Sequence, residues 1–498
     1  MKTIPTLFGL EAELRFEAFA SGGKRDLGAL DEVEKICCEG APHLRGEERG
    51  VFLACGGNWY REAAGDYTHQ EFSTPEVSNP TDAVLYTQAG YIFARSGAEE
   101  LSRRKGIRAC FSRSNVCYAT KGGESWGNHE CYCTRHSPET IADSIFAHLA
   151  SRNIYSGSGG FDAKSSGLDF VHSSRGPFLG ALKSGATEGA SRALFHQDYK
   201  SPRGHGGWFR AHLICGDGLC SERSLWLRTA TTALIVALAD HGYKPGRSAR
   251  LADPLTALHT FNADTSLKSV VLCEDDKLRT ARDIQSELLT HVEQHVEILP
   301  AWAPDAVLEW RRVLESLASY GLAGLARSHD NAIKFELYSD LLAQRGLGWD
   351  DVTGKAGRSA TKKGKEELKR IRAEMMLLDT RFAELSEEGL FETLDASGLL
   401  DHRISGVKER IAWAVENPPP DTRAAARGAI VRRYSGTPVA DQIRVGWSFA
   451  VDLSSGRKVD LSNPFDPNPA SLGGFDPQAA GPVETPGMTS RLRELIGL

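Results

Sequence analysis

The sequence predicts an α+β protein, and three features of its pattern carry that prediction. Over residues 6–214, short apolar stretches alternate with glycine-rich turns, which is how strands joined by loops read. After Gly216 the apolar residues recur at helical spacing, first along residues 221–241 and then in several longer runs. A second alternation, IRVGWSFAVDL at 443–453, predicts a strand in a small C-terminal unit. At 498 residues the chain exceeds one ordinary domain, so a large unit over residues 1–417 and a small one over 418–498 are expected.

Element by element, helical patterns interrupt the strand half at residues 81–105 and 139–152. The helical half continues at 280–299, 306–323, 331–345 and 379–401, until NPPPD at 417–421 breaks it, because proline lacks the N–H that a helix interior needs. Residues 463–486, rich in Pro, Gly and Ala, predict a loop or tether before the short amphipathic end SRLRELIGL. The lysine-rich run at 355–369 reads as a solvated loop entering a helix, with docking of an acidic partner as the alternative. Systematic repeats are absent.

Composition narrows the class. With 41% hydrophobic and 25% charged residues the chain is of the soluble globular type. A net charge of -6 without a long basic patch argues against a nucleic-acid partner, whose phosphates demand concentrated Lys and Arg. The N-terminal stretch reaches acidic residues before any apolar core of signal-peptide length, and the apolar run at 232–239 is too short to span a bilayer, so a cytoplasmic protein without membrane segments is expected. Ten cysteines occur without a pair of C-x-x-C motifs, and read as buried small apolar groups or free thiols rather than a disulfide framework or zinc site.

The chemistry begins at Glu11 and Glu13 in GLEAEL. Alternate residues of a strand share a face roughly 7 Å apart, so both carboxylates would enter one space. Two like charges held there call for a cation; a hard divalent ion such as Mg²⁺ fits, and Mg²⁺ on few carboxylates commonly serves nucleotide phosphates, so ATP chemistry is the first hypothesis. An isolated E-x-E also suits a solvated strand face. In HQEFSTPE (69–76), His69 and Glu71 would share one face, while Pro75 ends or bulges the strand so that Glu76 can turn back toward the site. SWGNHECY (125–132) offers a glycine-containing turn into His129 and Glu130, where backbone N–H groups could meet phosphate and a side chain could support the metal. FRAHLICGD (209–217) sets Arg210 and His212 on one face, the first suited to phosphate and the second to a metal or its support. In PPPDTRAAARGAI (418–430), Arg423 and Arg427 lie four apart on one side of a helix, able to hold phosphate or to be ordinary surface arginines.

Taken in order, these segments resemble the Pup ligase and Pup deamidase/depupylase enzymes, relatives of the glutamine synthetase-type carboxylate-amine ligases. GLEAE, HQEFSTPE, SWGNHECY and RAHLICGD with the later SER (221–223) carry the resemblance, and ARDIQSE (281–287), HDNAIKFEL (329–337), LLDTRFAEL (377–385) and PPPDTRAAARG extend it over nearly the whole chain. The resemblance implies a glutamine synthetase-like domain, a curved antiparallel sheet cradling Mg-ATP under helices, with a small C-terminal domain. It implies that the γ-carboxylate of the C-terminal glutamate of Pup, a small disordered tag, takes the γ-phosphoryl of ATP before a target-protein lysine attacks. On this mapping Glu11, Glu13, Glu71, Glu76 and His212 are metal candidates, and Arg210, Arg423 and Arg427 bind phosphates. The carboxylate that accepts the lysine proton is Asp66, three residues before His69, or else Glu62, which a gapless alignment of VFLACGGNWYRE places at the ligase position.

The sequence also departs from these enzymes. Leu14, Arg15 and Phe16 replace an aromatic-Gly sequel, Gln70 replaces Pro, Cys131 replaces Asn, and the R-D-E-P-H stretch expected before Arg210 is not recognisable, which leaves a divergent carboxylate substrate open. Residues 16–66 leave no room for the long insertion of the deamidase branch, which favours a ligase over an amidase or isopeptidase that uses Asp66 with nucleotide as cofactor. A silent scaffold holding a partner's disordered tail is the reading from another class; Glu11, Glu13, Arg423 and Arg427 together speak against it.

Overall fold

In the computed structural model the described residues are 3–20, 23–26, 28–64, 67–119, 124–186, 192–197, 207–359 and 361–475. Asp66 and the end SRLRELIGL lie outside them.

Among the described residues, twelve strands build the first half: β1 Phe8–Phe19, β2 His43–Arg45, β3 Val51–Leu53, β4 Asn58–Ala64, β5 Tyr67–Ser73, β6 Arg108–Ser112, β7 Val116–Cys117, β8 Glu124–Ser125, β9 Asn128–Thr134, β10 Ala181–Ser184, β11 Ala193–His196 and β12 Phe209–Leu213. Ten of them form one sheet in the order β10-β11-β12-β9-β1-β5-β4-β3-β2, with β6 also on β1; β7 and β8 pair separately. Its pairings are antiparallel, as expected, except that β10 runs parallel to β11.

β1 is the axis. It is twelve residues long and alternates strictly: Phe8, Leu10, Ala12, Leu14, Phe16 and Ala18 are buried, while Gly9, Glu11, Glu13, Arg15 and Glu17 on the other face are half-buried. The apolar face is covered by helices Pro80–Lys105 and Glu222–Asp240 within the main core. At Gly90 a Cβ would fall 2.1 Å from the Phe72 ring, so only glycine lets the first of these helices lie so close to β5. The side chain of Asn79 caps its start and a left-handed Gly106 ends it.

The other predicted helices appear at Pro138–Ser151, Ala281–Glu293, Ala303–Tyr320 and Asp330–Ala343. Near residues 355–401 the outcome differs: the helix is Lys362–Phe382, starting inside the lysine-rich run, and a short Leu390–Ala396 follows. Its lysines stay exposed, while Leu368, Ile371, Met375 and Met376 supply the buried stripe. Helices Ala29–Glu39 and Pro254–Asn262 and the hairpin β13 (Val270–Leu272) with β14 (Leu278–Thr280) had no clear signal, being short and surrounded by polar sequence.

Two motif segments serve the packing. Lys334 and Asp379, both buried, pair at 2.8 Å, and the hydroxyls of Tyr118 and Tyr338 each donate to Asp379 at 2.8 Å. On the core side of β9, Glu130 accepts two hydrogen bonds from Arg152, at 2.6 and 3.0 Å, and one from Tyr132 at 2.8 Å. Burial alone would raise the Glu130 carboxyl, but Arg152 and Arg228 hold it below its ordinary value.

After the proline break, helix Ala424–Tyr434 and strands β15 (Ile443–Val445), β16 (Phe449–Asp452) and β17 (Lys458–Asp460) form a small unit. Its core of Ile430, Val431, Ile443, Val445, Ala450 and Val459 takes in Leu44 of β2 and Phe52 of β3. The unit is therefore docked on the sheet's β2 edge, where Glu47 N–H donates to Val445 O at 2.8 Å.

Glu130→Ala should strip Arg152 and Arg228 of their buried partner and cost about 3–5 kcal/mol of stability, read from denaturant unfolding. A loss below about 1 kcal/mol would show that this network does not hold the sheet to its helices.

Candidate active site

The polar face of β1 gains its neighbours through register. Glu13 lies opposite Glu71 of β5, and Glu71 opposite Tyr60 of β4; Glu62 lies opposite His69. On the other side Glu11 lies opposite His129 of β9, and Cys131 opposite His212 of β12. Five strands thus deliver two sets of side chains whose ligand atoms lie within 4.8 Å of one another: Glu13, Glu62, His69 and Glu71, and beside them Glu11, His129 and His212. His129 ties the sets, its Nδ1 at 3.6 Å from Glu11 and its Nε2 at 3.7 Å from Glu13.

The electrostatics are those of crowded carboxylates. Burial, then the Glu11, Glu13 and Glu62 carboxylates, push the Glu71 carboxyl well above its ordinary range, and the Tyr60 hydroxyl donates to it. At Glu11 burial acts the same way, yet His212, His129 and Arg210 prevail and hold it well below its ordinary value. Glu13 is likewise lowered against its burial by His129, His69 and Arg175. Burial keeps His69 and His212 neutral, the second pulled down to about 4 with help from Arg210. Among the described residues, both ring nitrogens of His69 and of His212, and Oε2 of Glu71, are buried without a well-aligned hydrogen bond, although His212 Nε2 lies 3.2 Å from Glu11 Oε2. Neutral imidazoles and crowded carboxylates with unused lone pairs fit divalent cations: the carboxylate-rich set suits a hard ion, and the His₂Glu set accepts a softer one as well.

Gly127 completes the floor. Its N–H donates to Glu13, and a Cβ there would fall on the buried Arg175 guanidinium and 2.7 Å from the Gly216 carbonyl oxygen, so a side chain would displace Arg175 or the backbone.

Beside the Glu11 set opens a cavity of about 350 Å³ lined by Glu11, Tyr60, Phe209, Arg210, Arg423 and Trp447, among others. Arg210 Nη1 is 3.3 Å from Glu11 Oε1. The C-terminal unit forms one wall: Trp447 meets the Phe52 ring at 5.0 Å, and Phe465 meets Trp208 at 4.8 Å.

Of the residues singled out from sequence, Glu11, Glu13, Glu62, Glu71, His212 and Arg210 come together here. Glu76 does not join either acidic set. β5 ends at Ser73, and Glu76 instead accepts from Arg423 Nε at 2.6 Å and from Arg427, which pull its carboxyl down to about 2 against its burial. Arg423 still lines the cavity; Arg427 is fully enclosed, donating also to Gly56 O at 2.8 Å. Glu130 points to the core, not the site. Sequence reasoning left His69 and His129 out of the ligand set and missed Arg49, which pairs with Glu62 at 2.7 Å. The period of two from Glu71 pointed to His69; the place of His129 depends on strand register, and Arg49 reaches Glu62 from the turn between β2 and β3, neither of which sequence displays.

A family model described as Pup-ligase protein matches residues 24–451. The chain belongs to the Pup-ligase protein family. The match begins after β1, so Glu11 and Glu13 enter through the structure. Among relatives of this family, a Pup deamidase/depupylase of Mycobacterium tuberculosis is 27% identical over 399 residues, covering 78% of this chain and 72% of its own. A Pup–protein ligase of Xylanimonas cellulosilytica is 27% identical over 442 residues, covering 86% and 89%. Two solved structures of the ligase PafA share the fold: the complex with Pup at a TM-score of 0.74 and 20% identity, covering 95% of this chain and 92% of the other, and the ADP complex at 0.69 and 21%, covering 89% and 90%.

Glu71→Gln removes one of the crowded charges. The cation-free variant should melt no lower than the parent, yet lose at least ~10-fold in Mg²⁺ or Mn²⁺ affinity by calorimetric titration. Unchanged affinity would take Glu71 out of the cation site.

Proposed function

We propose that the chain is an ATP-dependent Pup–protein ligase that joins the side-chain carboxylate of the C-terminal glutamate of a Pup-like tag to a lysine of a target protein. The observation that carries this reading is the pair of cation-suited side-chain sets on β1 next to an arginine-lined cavity, in a member of a family whose relatives are named for Pup ligation. The ADP-bound state of PafA supports nucleotide in that cavity, and the Pup-bound state supports the tag as partner.

Glu13, Glu71 and His69, with Glu62 at their edge, would hold one Mg²⁺, and Glu11, His129 and His212 a second cation. When bound, these ions neutralise the phosphate charge that otherwise repels an attacking carboxylate. Arg210 binds phosphate from the cavity wall, with Arg423 held beside it by Glu76. The C-terminal unit, expected from the sequence over residues 418–498, would keep water from the cavity through Trp447. A carboxylate oxygen of the tag attacks the γ-phosphorus and ADP leaves; the lysine amine then attacks the acyl carbon, gives its proton to Asp66 or Glu62, and phosphate leaves. Glu62 sits in the cluster with 35% of its side chain exposed, within reach of an incoming amine. No helix among the described residues is long and apolar enough to cross a membrane, and a cytoplasmic setting, where ATP is available, accompanies this reading.

The second reading, a Pup deamidase or depupylase, is favoured by the likeness to the mycobacterial enzyme. Incubation with ATP, Mg²⁺, a lysine-bearing target and a Pup-like peptide ending in Glu should yield an isopeptide conjugate. Ammonia release from the Gln-ending peptide without conjugation would select the second reading, and neither product would sink both. Glu13→Ala should lower ATP turnover at least ~100-fold with the fold intact by circular dichroism. Between the base candidates, Asp66→Asn should stop conjugation while sparing ATP binding; an unaffected rate would shift the role to Glu62.

A further inference from the structure

Along the polar face of β1 the order is Gly9, Glu11, Glu13, Arg15, Glu17. Gly9 and Glu11 line the nucleotide-sized cavity, whereas Glu13 and Arg15 do not. Glu11 and Glu13, one from each cation set, stand between Gly9 and Arg15 along β1. Phosphoryl transfer sets the attacking and leaving oxygens roughly in line, so an acceptor must approach from the side away from the leaving diphosphate. That side is where Arg15 stands, about 7 Å further along the strand than Glu13.

The face carries Glu11, Glu13 and Glu17 in the same row of β1, with Glu71 opposite Glu13, so a second carboxylate needs a positive partner there. Arg15 is the basic residue in β1's polar row. Its guanidinium lies 5.7 Å from the centre of the Trp126 ring, and one nitrogen, Nη2, donates to Glu17. Trp126 precedes Gly127, whose N–H holds Glu13, so one short segment orients both the cation ligand and the guanidinium. With 15% of the side chain exposed, the fork is positioned yet reachable, and its donors outnumber the one bond to Glu17.

Resting on the ligase reading, we infer that Arg15 is a specificity-determining residue that binds the α-carboxylate of the tag's C-terminal glutamate while the γ-carboxylate faces the cations. Arg15 is among the positions where this sequence departs from the motif it resembles.

The test pairs Arg15→Gln and Arg15→Lys with two tag peptides, one ending in glutamate and one in its α-amide, which keeps the γ-carboxylate. In the parent enzyme amidation should raise KM at least ~10-fold with kcat nearly unchanged; in Arg15→Gln the free-acid KM should rise to the same level, and amidation should add nothing. Arg15→Lys should fall between. An amidation penalty undiminished in Arg15→Gln, or no penalty in the parent, overturns the assignment. Fluorescence anisotropy with labelled forms of both peptides needs no turnover. If the parent binds the free acid preferentially and Arg15→Gln does not, yet no conjugate forms, the ligase reading fails and Arg15 stands; equal binding of both peptides by the parent overturns Arg15. Unchanged ADP affinity in Arg15→Gln separates this effect from collapse of the site.

Discussion

Everything in this molecule depends on carboxylates that a folded chain should keep apart. Glu11, Glu13 and Glu71 are drawn onto one face of a sheet and largely removed from water, where their mutual repulsion and lost hydration oppose folding. The fold tolerates this because the Tyr60 hydroxyl donates to Glu71 and the Gly127 N–H to Glu13, and because crowding and burial push the Glu71 carboxyl well above its ordinary range. Such a crowd of carboxylates and imidazoles fits divalent ions, which is what the proposed phosphate chemistry requires.

The apolar side of the same strand makes the site rigid. β1 buries one face against helices Pro80–Lys105 and Glu222–Asp240, and Glu130, one residue from His129, is locked by Arg152 on the core side. Period two therefore links core and site: a shift of one residue in register would send Glu11 and Glu13 into the core and Leu10 and Ala12 into the cleft. The C-terminal unit acts on the other dimension. By sharing its core with β2 and β3 it brings Trp447 over the cavity, and the buried Glu76 pair with Arg423 and Arg427 fixes its first helix to the end of β5.

Much of this was legible in the sequence, for identifiable reasons. The long helices declared themselves by spacing, and the E-x-E pair by strand alternation, since both are local periodicities. Glu76 was misleading because its destination was decided by two arginines some 350 residues away in sequence, at |i−j| of 347 and 351. His129 lay in a segment the sequence singled out, but its place opposite Glu11 depends on a register that β-strands acquire on pairing, and Arg49 reaches Glu62 from the turn between β2 and β3. The short helix Ala29–Glu39 escaped because its buried stripe is only Ala29, Val33, Ile36 and Cys37.

The claim at the centre is that this cluster hands a phosphoryl group to a carboxyl oxygen. It is tested most directly with a Pup-like peptide whose terminal glutamate carries ¹⁸O in its γ-carboxylate, by mass spectrometry of the phosphate released during conjugation. One ¹⁸O in each released phosphate is the predicted result. Phosphate free of label, with conjugate formed, would contradict the account.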